Sequence, residues 1–206
     1  MDIAVIDYGM GNLRSVGKAL EFAGAQVSFV SGPDRLNEFP CAMLPGVGAF
    51  GDGMKNLRDR GFEQPIKDFL ASGRRMMGIC LGMQMMLNSS LESPGAGGLG
   101  IFDAGALRFD DSLGKVPHIG WNTVKLLPDN PVTQGLPEEL DFYFVHSFYA
   151  PLETPGCAGV CGYQKPFAAM LFGNGCFATQ FHPEKSQKAG IALLKNFLKW
   201  AGESVK

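Results

Sequence analysis

Apolar and polar positions follow two different rhythms along this chain. Asp2 to Asp7 is a short apolar run that reads as a buried strand. Leu13, Val16, Leu20 and Phe22 then recur at helical spacing, with Asn12 placed to cap the helix and Gly24 to end it. Apolar runs from Gln26 to Val30 and from Cys41 to Leu44 predict two further strands. A helix is expected from about Met54 to Leu70, bent near Pro65, and Met76 to Ile79 predicts a fourth strand leading into a short helix from Met83 to Leu87. Strand and helix alternating in this way indicate a mainly parallel sheet covered by helices, an α/β fold. In such sheets the ligand crevice lies outside the C-terminal ends of the strands. The Gly-rich turns after Asp7, Leu44 and Ile79 are therefore expected to converge there.

Beyond Gly100 the pattern changes. Ser89 to Gly100 has no apolar period and reads as a loop. Shorter strands are then predicted at Ala106–Phe109, Asn122–Leu126, Phe142–Val145, Gly159–Tyr163, Ala168–Phe172 and Cys176–Phe181. Ile191, Leu194, Phe197 and Leu198 mark a closing helix from about Gln187 to Ala201. No repeat, low-complexity segment or linker interrupts residues 1–206, so a single domain is expected.

Composition narrows the function classes. At 206 residues, 46% apolar and 18% charged, the chain has ordinary globular proportions and enough length for a substantial core. A net charge of −2 argues against a general nucleic-acid binder, and no apolar run is long enough to span a bilayer. The N-terminus lacks a basic, signal-like segment. Five scattered cysteines (41, 80, 157, 161 and 176) form neither a Cys-x-x-Cys pair nor a zinc pattern. All but Cys80 read as reduced, structural thiols in a cytoplasmic protein, and neither a metal nor a cofactor is expected.

Candidate chemistry centres on Gly78-Ile79-Cys80-Leu81-Gly82. A strand turning sharply into a helix strains its corner residue and lifts that side chain above the sheet. A cysteine there also lies near a helix N-terminus, which favours thiolate. This describes a nucleophile; on this stretch alone a buried core cysteine is the competing reading. A nucleophilic cysteine needs a base, and the base an orienting group. Thr179-Gln180-Phe181-His182-Pro183-Glu184 offers both, with His182 and Glu184 two residues apart in a segment that Pro183 biases toward extended backbone. Pro45-Gly46-Val47-Gly48 and the N–H of Leu81 can supply the two donors that a developing oxyanion requires, with Val47 or Gly48 as the second. The turn Asp7-Tyr8-Gly9-Met10-Gly11-Asn12 matches no nucleotide-binding pattern. His118 and His146 lack a carboxylate at orienting spacing, so structural or substrate-contact roles are expected for both.

Pro45-Gly46-Val47-Gly48, Gly78 to Gln84 and His182-Pro183-Glu184 together resemble the class I (triad) glutamine amidotransferases, whose fold is flavodoxin-like. Asp7 to Leu13, Lys115-Val116-Pro117-His118-Ile119-Gly120-Trp121-Asn122 and Val145-His146-Ser147 resemble more narrowly the glutaminase subunits of imidazole glycerol phosphate synthase, from histidine biosynthesis. The resemblance runs from residue 2 to about 200. It implies a Cys80-His182-Glu184 triad that hydrolyses glutamine through a glutamyl thioester. It also implies glutamine contacts from Gln84, His146 and Ser147. Ammonia would pass to a separate cyclase subunit, a β/α barrel in that family, which forms imidazole glycerol phosphate and an aminoimidazole carboxamide ribotide. Asn12, Arg14 and Lys185 are the candidates for that interface, and Gly46 and Gly48 for a switch in the oxyanion loop. Phe148 stands where the family has Tyr, and Phe102-Asp103-Ala104 replaces a Pro-Gly type of turn. Rival readings are the glutaminase of pyridoxal phosphate synthase, a stand-alone γ-glutamyl hydrolase and a catalytically silent interaction subunit.

Overall fold

Strand β1 (Asp2–Ile6) shows why the chain folds as a layered sheet: Ile3 and Val5 enter one apolar cluster, Ala4 and Ile6 the other, and all four are fully buried. A strand apolar on both faces must be covered on both faces. The computed structural model describes residues 1–128 and 130–203; position 129 and the last three positions of the expected 1–206 domain lie outside them. In order follow α1 (Leu13–Phe22), β2 (Gln26–Val30), β3 (Cys41–Gly46), α2 (Phe50–Asp59), α3 (Glu63–Ala71), β4 (Arg75–Cys80) and α4 (Leu81–Met85). The second half contains β5 (Leu87–Ser90), β6 (Phe102–Arg108), β7 (His118–Leu126), β8 (Glu139–His146), β9 (Phe148–Pro151), β10 (Cys157–Gly162), β11 (Pro166–Gly173), β12 (Cys176–Thr179) and α5 (Gln187–Gly202).

The main sheet runs β2-β1-β3-β4-β12-β11-β10-β7-β8. Its first five strands are parallel, as the strand–helix rhythm predicts. From β11 onward every step is antiparallel, because these strands follow one another without crossover helices. Helices α1 and α5 close one face through Val16, Leu20, Leu194 and Phe197, while α2, α3 and α4 close the other through Met54, Leu57, Ile66, Phe69 and Leu81.

Several boundaries differ from the sequence reading. The helix expected from Met54 to Leu70 is two helices, and the break is at Gly61 (φ +75°) rather than Pro65. Gly61 N–H donates to Arg58 O and Phe62 N–H to Leu57 O, the paired bonds of a glycine-terminated helix. Pro65 sits in the first turn of α3, where no N–H is needed. The short helix starts at Leu81 and ends at Met85, so Leu87–Ser90 is a strand pairing with β6, not helix and loop. Phe102-Asp103-Ala104 opens β6 instead of forming a turn. Strand β9 went unpredicted, and β12 ends at Thr179, two residues short of Phe181.

Candidate active site

Strand register brings the site together. Cys80, the last residue of β4, lies opposite Gly46 of β3, and on the other side Ile79 pairs with Thr179 of β12. The residues that follow Thr179, including His182, thus emerge beside Cys80. The chain turns from β4 into α4 with Cys80 at φ 53°, ψ −108°, a backbone conformation that an L residue other than glycine rarely adopts. Gly82 makes this elbow possible, since a Cβ there would collide with the Leu44 carbonyl oxygen. Gly46 is kept small for the same reason: its Cβ would stand 2.5 Å from Tyr8 Oη and 2.9 Å from Leu81 Cβ. Of the two glycines expected to let the oxyanion loop move, only Gly48 has a positive φ (+101°); Gly46 lies within β3. The loop runs directly into α2, whose preceding residue, Ala49, has no side chain to cap it. Glu92 and Ser93 supply the caps from across the cleft, accepting from Phe50 N (2.7 Å) and Gly51 N (3.0 Å).

His182 is extended (φ −101°, ψ 97°), but Pro183–Lys185 forms a 3₁₀ turn. The expected His–Glu pairing therefore arises from a turn and not from strand alternation. Nδ1 lies 2.7 Å from Glu184 Oε1, with both side chains buried. The backbone is pinned on both sides: His182 N–H donates to Tyr143 O (3.0 Å), and Ser186 Oγ donates to His182 O (2.6 Å). Burial alone would lower the His182 pKa. The Cys80 sulfur and the Glu184 carboxylate outweigh it and raise the value to about 9, so the ring is an imidazolium at neutral pH. Nε2 is buried beside the Cys80 sulfur without a hydrogen bond of ordinary geometry. By contrast, burial pushes the Cys41 and Cys161 thiols up to about 12 and raises Cys157 and Cys176 as well, which keeps these four unreactive.

A cleft of about 420 Å³ opens over the elbow. Its lining includes Val47, Gly48, Cys80, Leu81, Gln84, His146, Ser147, His182 and Lys185. Glu184 stands behind His182. Asn12 and Arg14 lie outside the cleft on the exposed start of α1, where Asn12 Oδ1 accepts from Ser15 N (3.3 Å) as the expected helix cap. A larger hollow, about 830 Å³ between Lys125 and Glu138, contains none of these groups. Among the described residues no cluster of His, Cys, Asp and Glu could hold a metal ion, and no helix is long and apolar enough to cross a membrane.

The wall of the cleft contains a polar chain that the sequence reading did not find. Asn122 Nδ2 meets His118 Nε2 (3.2 Å), His118 Nδ1 meets His146 Nε2 (3.0 Å), and His146 Nδ1 faces the Phe148 carbonyl (2.8 Å). Burial holds both rings neutral, moving His118 down to about 4 and His146 to about 3. Both ring nitrogens of His146 are thus engaged within the protein. The carbonyl of Phe148 also accepts from Gln84 Nε2 (2.9 Å), so position 148 contributes its backbone to this chain, whichever side chain stands there.

Comparison with known proteins agrees with this geometry. The profile described as glutamine amidotransferase class-I matches residues 4–200. A protein of Methylococcus capsulatus named imidazole glycerol phosphate synthase subunit HisH is 45% identical over 209 residues, covering 96% of each chain. Its namesake in Chlorobaculum tepidum is 42% identical, covering 95% of this chain and 98% of the relative. One in Methanosarcina barkeri is 41% identical, with 95% and 97% covered. Among solved structures, one described as a glutamine amidotransferase shares the fold at a TM-score of 0.78 and 19% identity, covering 97% of this chain and 98% of that one. PurLQS from Thermotoga maritima includes a chain alike to the same degree. Elbow, buried His–Glu pair and a match over nearly the whole length converge: the chain belongs to the class-I glutamine amidotransferase family.

Proposed function

We infer that this chain, as one glutamine amidotransferase domain, is the glutaminase subunit of an imidazole glycerol phosphate synthase. The observation that carries the reading is a cysteine at a strained strand–helix elbow facing a buried imidazolium held by Glu184, in a chain of this family. Sulfur nucleophiles react as thiolates, and a neighbouring imidazolium favours that form. Cys80 Sγ attacks the side-chain amide carbon of glutamine, and the carbonyl oxygen becomes an oxyanion between the Leu81 N–H and an N–H of Val47 or Gly48. His182 gives its Nε2 proton to the departing nitrogen, and ammonia leaves a glutamyl thioester. The same nitrogen then takes a proton from water, which attacks the thioester to release glutamate and restore the thiolate. Glu184 fixes Nδ1–H throughout, so that Nε2 always faces the reacting atoms. Gln84, His146 and Ser147 shape the glutamine pocket, His146 as wall and Gln84 through its amide oxygen.

The ammonia is consumed by a cyclase subunit that docks near the cleft mouth. Exposed Ile119 and Trp121 support this placement: Trp121 packs against Tyr143, whose ring carries the Lys185 ammonium 5.7 Å from its centre. Apolar side chains left exposed beside a cation suit a protein partner. Asn12 and Arg14 extend the same interface. The test is glutamate release from glutamine by wild-type and Cys80→Ala protein, each alone and with the cyclase subunit plus its nucleotide ligand. Activity that rises with the liganded partner and vanishes in the variant is the expected result. Partner-independent turnover returns the γ-glutamyl hydrolase reading, and activity surviving Cys80→Ala overturns the nucleophile.

A further inference from the structure

Gln180 is fully buried, does not line the cleft, and has no part in the chemistry above. Its amide nevertheless reaches the nucleophile, with Nε2 3.8 Å from Cys80 Sγ, within reach of an N–H to sulfur hydrogen bond. Which end of this amide faces the sulfur is decided by the rest of the polar chain. His146 Nδ1 and Gln84 Nε2 both face the Phe148 carbonyl, which can only accept, so both must donate. The second hydrogen of the Gln84 amide goes to Gln180 Oε1 at 3.0 Å. With its oxygen committed, Gln180 must turn its NH₂ toward Cys80. No flip or change of tautomer satisfies these contacts in any other way, because Phe148 O terminates donors arriving from two directions.

We propose that Gln180 is a positioning residue for Cys80, donating its amide N–H to the sulfur and held in that orientation through Gln84 by the Phe148 carbonyl. It aims Sγ and favours its anionic form without touching glutamine. The proposal rests on Cys80 being the nucleophile. Hydrogen bonds that stabilise a charged group lose their effect when the donor becomes an acceptor. Gln180→Glu makes that exchange at nearly constant shape, because one carboxyl oxygen still accepts from Gln84 while the other faces sulfur. Ionised, it repels the thiolate; protonated, it donates an O–H in place of the lost N–H. In so buried a place the carboxyl titrates well above its ordinary range.

The experiment measures kcat and KM for glutamine in the full chain with its cyclase subunit, wild-type against Gln180→Glu, from pH 6 to 8.5. The expected variant-to-wild-type kcat ratio is about one hundredth at the alkaline end and climbs at least roughly tenfold toward pH 6, with KM within about twofold. A purely structural role would lower kcat by a factor that does not vary with pH. A flat ratio, or an unchanged kcat, overturns the proposal. Should Gln180→Glu fail to fold, as judged by its thermal melt, Gln180→Met fills the space without a donor. A kcat lowered by about tenfold at constant KM then supports the proposal, and a kcat within about twofold of wild type overturns it. Cys80→Ala, run in parallel, separates the two failures: activity surviving there refutes the nucleophile and not merely its positioning.

Discussion

Residue chemistry in this protein depends on what surrounds each group more than on the group itself. Five cysteines share one chain, yet only Cys80 lies at an elbow, at positive φ and facing an imidazolium, while burial raises the other four thiols away from reactivity. The same holds for the three histidines. His182 has Glu184 at 2.7 Å and is charged, whereas His118 and His146 are hydrogen-bonded to Asn122, to each other and to the Phe148 carbonyl, and stay neutral. Replacing Glu184 by Gln keeps the shape but removes the charge that stabilises the imidazolium. Glutamine turnover with the cyclase present is expected to fall by about 10² to 10⁴ in kcat with little change in KM, as steady-state kinetics would show. A loss confined to KM would mean that Glu184 serves binding and not the histidine.

Elements carry these groups into position, and they carry stability with them. Strands β7 and β8 face His118 and His146 toward each other in register, so the neutral pair is a property of that hairpin. Both folded pKa values lie below the ordinary 6.5. Between pH 6.5 and about 4 the unfolded chain therefore binds protons that the folded chain refuses, and this contribution to stability is full above pH 6.5 and lost as pH falls. His182 works in the opposite sense: raised to about 9, its contribution is present at low pH and is lost as pH rises from 6.5 through 9. Urea unfolding of His118→Gln across pH 4 to 7 should show a decline toward acid roughly 2 kcal/mol shallower than wild type. Parallel slopes would place the acid sensitivity elsewhere. Helix α2 illustrates a second long-range dependence, since its N-terminus is capped by Glu92 and Ser93 from the β5–β6 connection.

For the whole molecule, the sheet order brings the cleft and the exposed Ile119, Trp121 and Lys185 to one end of the fold, so that a partner seated there would cover the site of ammonia release. Lys185→Glu is expected to weaken association with the cyclase by about tenfold, measured by titration calorimetry, while the thermal melt of the isolated chain stays the same. Unchanged affinity would move the interface away from this end.

What the sequence determined by itself was local. The strand–helix rhythm, the elbow around Cys80, the Asn12 cap and the His-x-Glu pair are each set by residues within a few positions of one another, where propensity and spacing act directly. The stop at Gly61 is equally local, a glycine at positive φ ending α2, while Pro65 is tolerated in the first turn of α3. Tertiary structure decided what depends on distant strands meeting. Only the placement of β12 beside β4 puts His182 next to Cys80, only the β7–β8 register pairs the two histidines, and only the fold seats Glu92 on the first turn of α2. Gln180 was visible in the sequence yet had no chemistry to distinguish it. Its role follows from a buried amide having one orientation that satisfies its neighbours, and those neighbours come from two distant parts of the chain, residues 80–84 and 146–148.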